Sequence, residues 1–408
     1  MDPKAHFARS GMGLGQVNDF EGFRAPVLVH SNGLHVVTVD QAFCWWGNNM
    51  TENAAQEFDK QKARAFMGDM MSIMNGGAMA LMCSIGHRTG LFDTMAGMES
   101  ASSADIAAAA GLAERPVREW LGGVTVGGIV EHDPESDTYR LPAEHSGLLT
   151  RAAGTLNMSN GLQFIAQLGA VEDEVVASFS TGAGVPYSSF GSFQRLMAEV
   201  STQRFDNGLL QHTIPLIGAQ DALRSGIVMA DVGCGSGHAV NLLAKEFPDS
   251  TFHGFDISVE GIERAQAQAA EMGVANASFD VRDVSDLAET ARFDLITTFD
   301  AIHDQGHPDA VLKGIYDALK VGGSYLCVEP QAESHVHGNH DRAHAPFLYT
   351  VSTMHCMQVS LAADGEGVGA AWGREMIQER LVTAGFTDTS LHSSPVDRTN
   401  DYYLSVKG

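Results

Sequence analysis

Apolar and polar positions follow two different periods along this chain, and the change of period divides it. From Ile227 to about Pro330 short apolar runs recur: IVMA at Ile227–Ala230, TFHGFDI ending at Ile257, FDLITTF at Phe293–Phe299 and ALKVGGSYLCVEP at Ala318–Pro330. Helical stretches separate them, as in a parallel sheet whose strands are buried on both faces. Upstream the helical period dominates. From near Glu57, Met67, Met70, Met71, Met74, Met79 and Met82 recur at helical spacing, with Gly76-Gly77 expected to interrupt them. A methionine stripe of this kind reads as core or dimer packing before a cofactor or hydrophobic-substrate surface.

Ser102–Tyr139 has a winged-helix pattern. Ser103 is placed to cap a helix through ADIAAAAGL, ERPVREWLGGVTVGGIV forms a second helix, and VEHDPESDTYRL forms a hairpin wing. Residues 150–225 read as helices with one break, STGAGVPYSSFGSF at Ser180–Phe193. That break is either a connector or the wall of a substrate site, with Tyr187, Ser188 and Phe190 as contacts. At the start, VLVH at Val27–His30 and LHVVTV at Leu34–Val39 flank Ser31-Asn32-Gly33, a hairpin signal. An aromatic patch follows at Phe43, Trp45 and Trp46, read as packing against the next domain rather than as a lid or dimer contact. The expected domains are 1–56, an extension with a β-hairpin; 57–150, the winged helix; 151–225, a helical linker; and 226–408, the sheet domain.

Composition narrows the partners. The 408 residues carry a net charge of −25, with only 25 Lys plus Arg. The candidate recognition helix mixes Arg115 and Arg118 with Glu114 and Glu119, and the wing carries Glu131, Asp133, Glu135 and Asp137. Groove insertion would bring those carboxylates towards phosphates, so no nucleic-acid partner is expected. The five cysteines show no CxxC pair, and no apolar leader or membrane-length run is seen, so a cytoplasmic, membrane-free protein is expected.

The chemistry-bearing stretch is DVGCGSG at Asp231–Gly237, which follows the first apolar run. Glycines there permit torsions closed to other residues and let a ligand approach the main chain. Asp256, ending the second run, stands where a ribose would offer its hydroxyls. The third glycine falls two residues after the second, GxGxG, unlike the dinucleotide fingerprint.

That spacing resembles the first motif of class I S-adenosylmethionine (SAM)-dependent methyltransferases, and the order of the later stretches agrees. From about residue 60 the chain resembles a two-domain family of bacterial and animal SAM-dependent methyltransferases with an N-terminal winged helix. The shared marks are LMCSIGHRTGLFDTMAGM, VREWLGGVTVGGIVEHDPESDTYRLPAEH, GVPYSSF, DVGCGSGHAV, DAIHDQGHPDAVLKGI, APFLYTVSTMHCMQVSLA and GVGAAWG. The resemblance implies an α/β fold: a Rossmann-like domain with a mostly parallel seven-stranded sheet, closed by antiparallel strands in AGFTDTSLHSS and DYYLSVKG. It implies SAM as cofactor, with Asp231, Gly233, Gly235 and Gly237 near the methionyl group and Asp256 and Ile257 near the ribose. Asp283 and Val284 would meet the adenine, and Phe299 and Asp300 the methionyl end.

A wider resemblance, to dimeric O-methyltransferases of plants and animals, sets His303-Asp304 at the position of a His-Asp pair whose histidine is the general base. Gln305 stands where those enzymes usually carry Trp. His303 is thus the expected base, with Asp304 or Glu329 orienting its ring, and a homodimer is implied. Further candidate acceptor contacts are His307, His335, Tyr349, His355 and Trp372. The histidines His335, His337, His340, His344 and His355, with Asp304, His307 and Asp341 nearby in sequence, could suggest a metal; they are read as pocket or loop histidines without one. The acceptor is a small molecule bearing a thiol, thioether or hydroxyl. The rival reading is a winged-helix regulator that senses SAM or its demethylated product.

Overall fold

The structure, a computed structural model, describes residues 58–408 together with the backbone of β1 (Arg24–Val27) and β2 (His35–Thr38). It divides into two units, Met1–Asn75 and Gly76–Gly408. In the first, β1 and β2 pair antiparallel, Arg24 opposite Thr38 and Val27 opposite His35. The aromatic patch at Phe43, Trp45 and Trp46 lies outside the described residues.

Helix α1 runs unbroken over Lys60–Arg88, so Gly76-Gly77 does not interrupt it as expected. An interior glycine costs a helix only about 1 kcal/mol, and packing of the second half outweighs that. Met79 and Met82 lie where Gly127 and Gly123 leave room, and the Trp120 indole donates to the Met82 carbonyl at 2.8 Å.

The winged helix follows through α2 (Leu91–Ala96), α3 (Ser103–Ala110), α4 (Glu114–Val126) and the wing strands β3 (Glu131–Asp133) and β4 (Thr138–Arg140). Ser102, not Ser103, caps α3: its hydroxyl accepts from the Asp105 N–H at 3.3 Å. Helix α4 buries Val117, Trp120, Leu121 and Val124, the i, i+3, i+4, i+7 face of an amphipathic helix. Both of its arginines pair with acids on the same helix, Arg115 with Glu119 and Arg118 with Glu114.

Helices α5 (Ala143–Leu149), α6 (Met158–Gly169), α7 (Glu172–Thr181) and α8 (Gly191–Gly208) lead on. Between α7 and α8 lies the predicted break, which holds a single 3₁₀ turn, Tyr187–Phe190. Phe190 and Phe193 anchor it in a small core with Phe164, Leu196 and Val359.

The last part is a seven-stranded sheet made of β5 (Val228–Val232), β6 (Thr251–Asp256), β7 (Ala277–Val281), β8 (Phe293–Phe299), β9 (Leu319–Pro330), β10 (Asp388–His392) and β11 (Asn400–Val406). The order is β10-β11-β9-β8-β5-β6-β7. The five strands β5 to β9 are parallel, and β11 is antiparallel to both β9 and β10. Helices α9 (His238–Glu246), α10 (Val259–Met272), α11 (Pro308–Ala318), α12 (Ala345–Val351), α13 (Met357–Ala362) and α14 (Gly373–Ala384) fill the connections. Two cores result, one around Val232, Ile296, Ile315 and Leu381, the other around Met229, Leu243, Phe252 and Ile262. This is the Rossmann-like architecture expected of the sheet domain. Among the described residues no helix is long and apolar enough to cross a membrane.

Candidate active site

Strand order reverses between β5 and β8, so the loops leaving their carboxyl ends diverge and open a crevice there. The two loops touch at their bases: a Cβ on Gly233 would meet the Ala301 Cβ at 2.6 Å, so the close approach requires glycine. At Gly237, φ is +69° and a Cβ would sit 2.5 Å from Ala265 and Phe279, which fixes the turn into α9. Gly235, by contrast, faces open space, and its N–H donates to Asp256 Oδ2 at 2.7 Å.

Asp256 ends β6 and also accepts from the Ser258 N–H at 2.8 Å. Burial raises its pKa, partly offset by these N–H donors. Asp231 lies at the end of β5, accepts from the Thr297 hydroxyl at 2.7 Å, and is pushed up to about 7 by burial, with the Asp256 charge adding to it. Asp283 follows β7 and accepts from the N–H and hydroxyl of Ser285, which hold its carboxyl low. Ile257 is exposed beside Asp256, while Val284 is buried in the sheet core. Asp300 is a non-glycine residue at φ +51°, held by Arg204 at 2.6 Å and Asn400 at 2.8 Å. The same Arg204 stacks on Phe205 and Phe299.

The loop after β8 turns inward at His303. Its ring is buried, and Nδ1 donates to Glu329 Oε2 at 2.5 Å. Glu329, near the end of β9, is itself fully buried and accepts from the Ile302 N–H at 3.0 Å and the Trp372 indole at 3.2 Å. Those donors stabilise its carboxylate. Between the two residues offered by the sequence, Glu329 takes the orienting position, and Asp304 stands at the other nitrogen, 3.3 Å from Nε2. Burial works against a charged His303 ring, but Glu329 and then Asp304 outweigh it and hold its pKa well above the ordinary 6.5.

A second histidine stands close. His355 Nδ1 is 3.8 Å from Asp304 Oδ2, and its ring stacks on Phe193 with centroids 4.2 Å apart. Burial lowers its pKa, leaving it neutral, and its Nε2 has no hydrogen-bond partner. Phe190 and Tyr187 meet the same ring edge-on. Tyr187 keeps 39% of its surface exposed, yet the burial of its hydroxyl and then the Asp256 and Asp304 charges raise its pKa.

The remaining candidates fall elsewhere. Ser188 is exposed, and Trp372 is buried behind Glu329. His307 is exposed at the N-terminus of α11, and Tyr349 accepts from Asn339 at 3.3 Å. His335 is exposed with its ring stacked on His337, and His344 bonds the Gln331 carbonyl. Among the described residues the group able to hold a metal ion is His303, Asp304 and Cys356, and none of the five C-terminal histidines belongs to it. Cys356, Arg204, Phe193 and Asn400 went unread in the sequence. None carries a local signal, since each reaches the site only through tertiary packing.

Comparison with known proteins agrees with this arrangement. Residues 77–151 match the Rv2258c-like winged HTH domain family, and residues 223–374 match a methyltransferase domain family. Human N-acetylserotonin methyltransferase, solved in complex with SAM, superposes with a TM-score of 0.62 at 16% identity, covering 87% of this chain and 100% of that one. An O-methyltransferase family protein from Burkholderia thailandensis gives 0.59 at 12% identity over 84% and 98%. At these identities the likeness is one of fold. In sequence, a mitochondrial ubiquinone biosynthesis O-methyltransferase from Candida albicans is 31% identical over 101 residues, 24% of this chain and 31% of its own length. A malonyl-[acyl-carrier protein] O-methyltransferase from Priestia megaterium is 30% identical over 106 residues, 24% of this chain and 35% of its own. The matches span about a third of these relatives' length.

The fold and site therefore define a Rossmann-like class I domain preceded by a winged helix. The chain carries a winged HTH domain at residues 77–151 followed by a methyltransferase domain at residues 223–374, in the fold of the two-domain class I SAM-dependent methyltransferases. The cofactor of this type is SAM, and the residues present fit it. Gly235 leaves an open cradle beside the Asp256 carboxylate, and Asp231 ends the strand that leads into this turn.

Proposed function

We propose that this chain transfers the methyl group of SAM to a hydroxyl oxygen of a small molecule held beside His303. The observation that carries this reading is the buried Glu329–His303 contact of 2.5 Å at the mouth of the sheet's switch point. When bound, SAM supplies an electrophilic methyl on a sulfonium. The chain has to align an acceptor with it, exclude water and accept the acceptor's proton. Glu329 keeps the Nδ1 proton in place, so Nε2 is the nitrogen that receives the acceptor proton. The raised proton affinity makes His303 a stronger base than a free imidazole but requires it to be deprotonated first. The rate should therefore rise with pH, along a limb displaced upward from the ordinary histidine range. Tyr187, Phe190, Phe193 and His355 form an aromatic wall suited to a small, flat acceptor.

On this reading Asp231, the three glycines and Asp256 hold the methionyl and ribose parts, Asp283 the adenine. The winged helix serves dimerisation and substrate covering, because its arginines are already paired with acids. The test is turnover of labelled SAM against panels of phenols, carboxylates and thiols, with His303→Ala beside wild type. Methylation of a hydroxyl panel member that fails in the variant supports the reading. Activity on thiols alone, with the variant matching wild type as pH approaches the thiol pKa, moves the acceptor to sulfur. SAM binding without turnover on any panel, together with a mobility shift of genomic DNA fragments, returns the regulator.

A further inference from the structure

Three donors of different elements converge beside the His303–Glu329 pair. A ring nitrogen of His303, a carboxylate oxygen of Asp304 and the Sγ of Cys356 lie within 4.8 Å of one another, and it is Nε2 that faces Asp304, at 3.3 Å. Two stretches far apart in sequence supply them, the loop after β8 and the π-helical turn Ser352–Cys356. The place is largely closed to water, with His303 and Cys356 only 3% and 4% exposed and the Asp304 side chain 24%. Within it Asp304 Oδ1 is buried and has no hydrogen-bond partner. That oxygen lies 3.3 Å from His303 Nε2, so a positive charge is what it requires there: either the protonated ring supplies it, or a metal ion held between the nitrogen and the oxygen does.

The other side of the imidazole gives an independent sign. His303 Nδ1 is held by the buried Glu329 carboxylate, which is itself fixed by Ile302 and Trp372. Metal-binding histidines are ordinarily oriented in this way, by a carboxylate on the nitrogen that does not bind the ion. One imidazole, one thiolate and one carboxylate make a set of mixed softness. It suits zinc, with a fourth position left open, and suits magnesium or calcium poorly.

We infer that His303 Nε2, Asp304 and Cys356 form a site for a zinc-class divalent cation, and that filling it stops methyl transfer. Binding displaces the Cys356 thiol proton and, from the charged His303 ring, the Nε2 proton, and both are released to solvent while Nδ1 keeps its proton on Glu329. The inhibitory part rests on the reading of His303 as proton acceptor: a lone pair bound to metal takes no proton. Chelation should then leave the rate intact or raise it.

Cobalt(II) added to the chelator-stripped full-length chain tests the site directly. One equivalent should bind with a sulfur-to-cobalt charge-transfer band, and zinc should displace it. Cys356→Ser should abolish that band and weaken binding at least tenfold. Asp304→Asn should weaken binding but keep the band. Both variants should bind SAM as wild type does, which confirms that they fold. Cobalt binding without a sulfur band, or equal binding by Cys356→Ser, overturns the site. A filled site with undiminished turnover overturns the inhibition alone. Normal turnover by His303→Ala overturns the function proposed above while the cobalt result still decides the site.

Discussion

The glycine-rich turn after β5 and the His303 cluster after β8 meet at one end of the same sheet, yet they are made of different material. The first is a backbone device. Gly233, Gly235, Gly237 and Asp256 lie within 24 positions of one another in the chain, and their contacts are N–H groups donating to a carboxylate. The second is a side-chain device. Its members are Tyr187, Phe190, Phe193, His303, Asp304, Glu329, His355, Cys356 and Trp372, and all but Tyr187 and Asp304 are buried. A backbone site needs only a local turn and one neighbouring strand. A buried site of polar side chains needs each group satisfied by another from a distant element, because water is not there to do it. The contrast teaches that the two halves should fail independently.

The strongest way to break that comparison is His303→Ala. Turnover should fall by roughly 10²–10⁴-fold while SAM affinity by calorimetry stays at the wild-type value. If both fell together, the halves would be one cooperative unit and the assignment of His303 as base would be lost. The converse change is Asp256→Ala, which removes a carboxylate that binds the Gly235 and Ser258 N–H groups. Charge-assisted hydrogen bonds of this kind are worth about 1.5–3 kcal/mol, so SAM should bind roughly ten- to hundredfold more weakly. Unchanged affinity in titration would remove Asp256 from the ribose site.

Glu329→Gln sharpens the picture inside the acceptor half. It keeps the shape of the contact but deletes the charge that raises His303. The ascending limb of the pH–rate profile should move to lower pH, with a lower plateau rate of about tenfold. A profile that keeps its midpoint would mean that Glu329 holds the loop without tuning the ring.

The smallest effect concerns stability. Asp231 is held at about 7 when folded and titrates near 3.9 when unfolded. Between those values the folded state keeps a proton that the unfolded state has lost, so the contribution is full below about pH 4 and is lost as pH rises to about 7. Asp231→Asn mimics the protonated form. Its Tm relative to wild type should therefore climb from pH 5 to pH 8. A flat difference across that range would show that Asp231 does not titrate there.

Much of this was legible in the primary structure because it is local. The βα alternation from Ile227, the glycine spacing and the α4 stripe at Val117, Trp120, Leu121 and Val124 repeat at the periods of the elements they form. His303 was legible too, though by its place after the fourth apolar run and by resemblance rather than by any periodicity. Two local rules gave way to packing. Gly76-Gly77 stays helical because the second half of α1 is packed, and the cap of α3 moves to Ser102, one residue earlier.

The rest depended on tertiary structure. That Glu329 rather than Asp304 holds Nδ1 follows from β9 lying beside β8, a pairing that aligns Phe299 with Val328 and so brings the next residue under the His303 loop. Trp372 reaches the same carboxylate, and Cys356 and His355 reach the same dry space, because helices from the far end of the chain close over that edge. Residue type and spacing specify which elements form. The order in which strands and helices pack decides which polar groups lose water together: burial disfavours the charged form of both rings and lowers His355, while the Glu329 and Asp304 carboxylates beside His303 outweigh it and raise that ring.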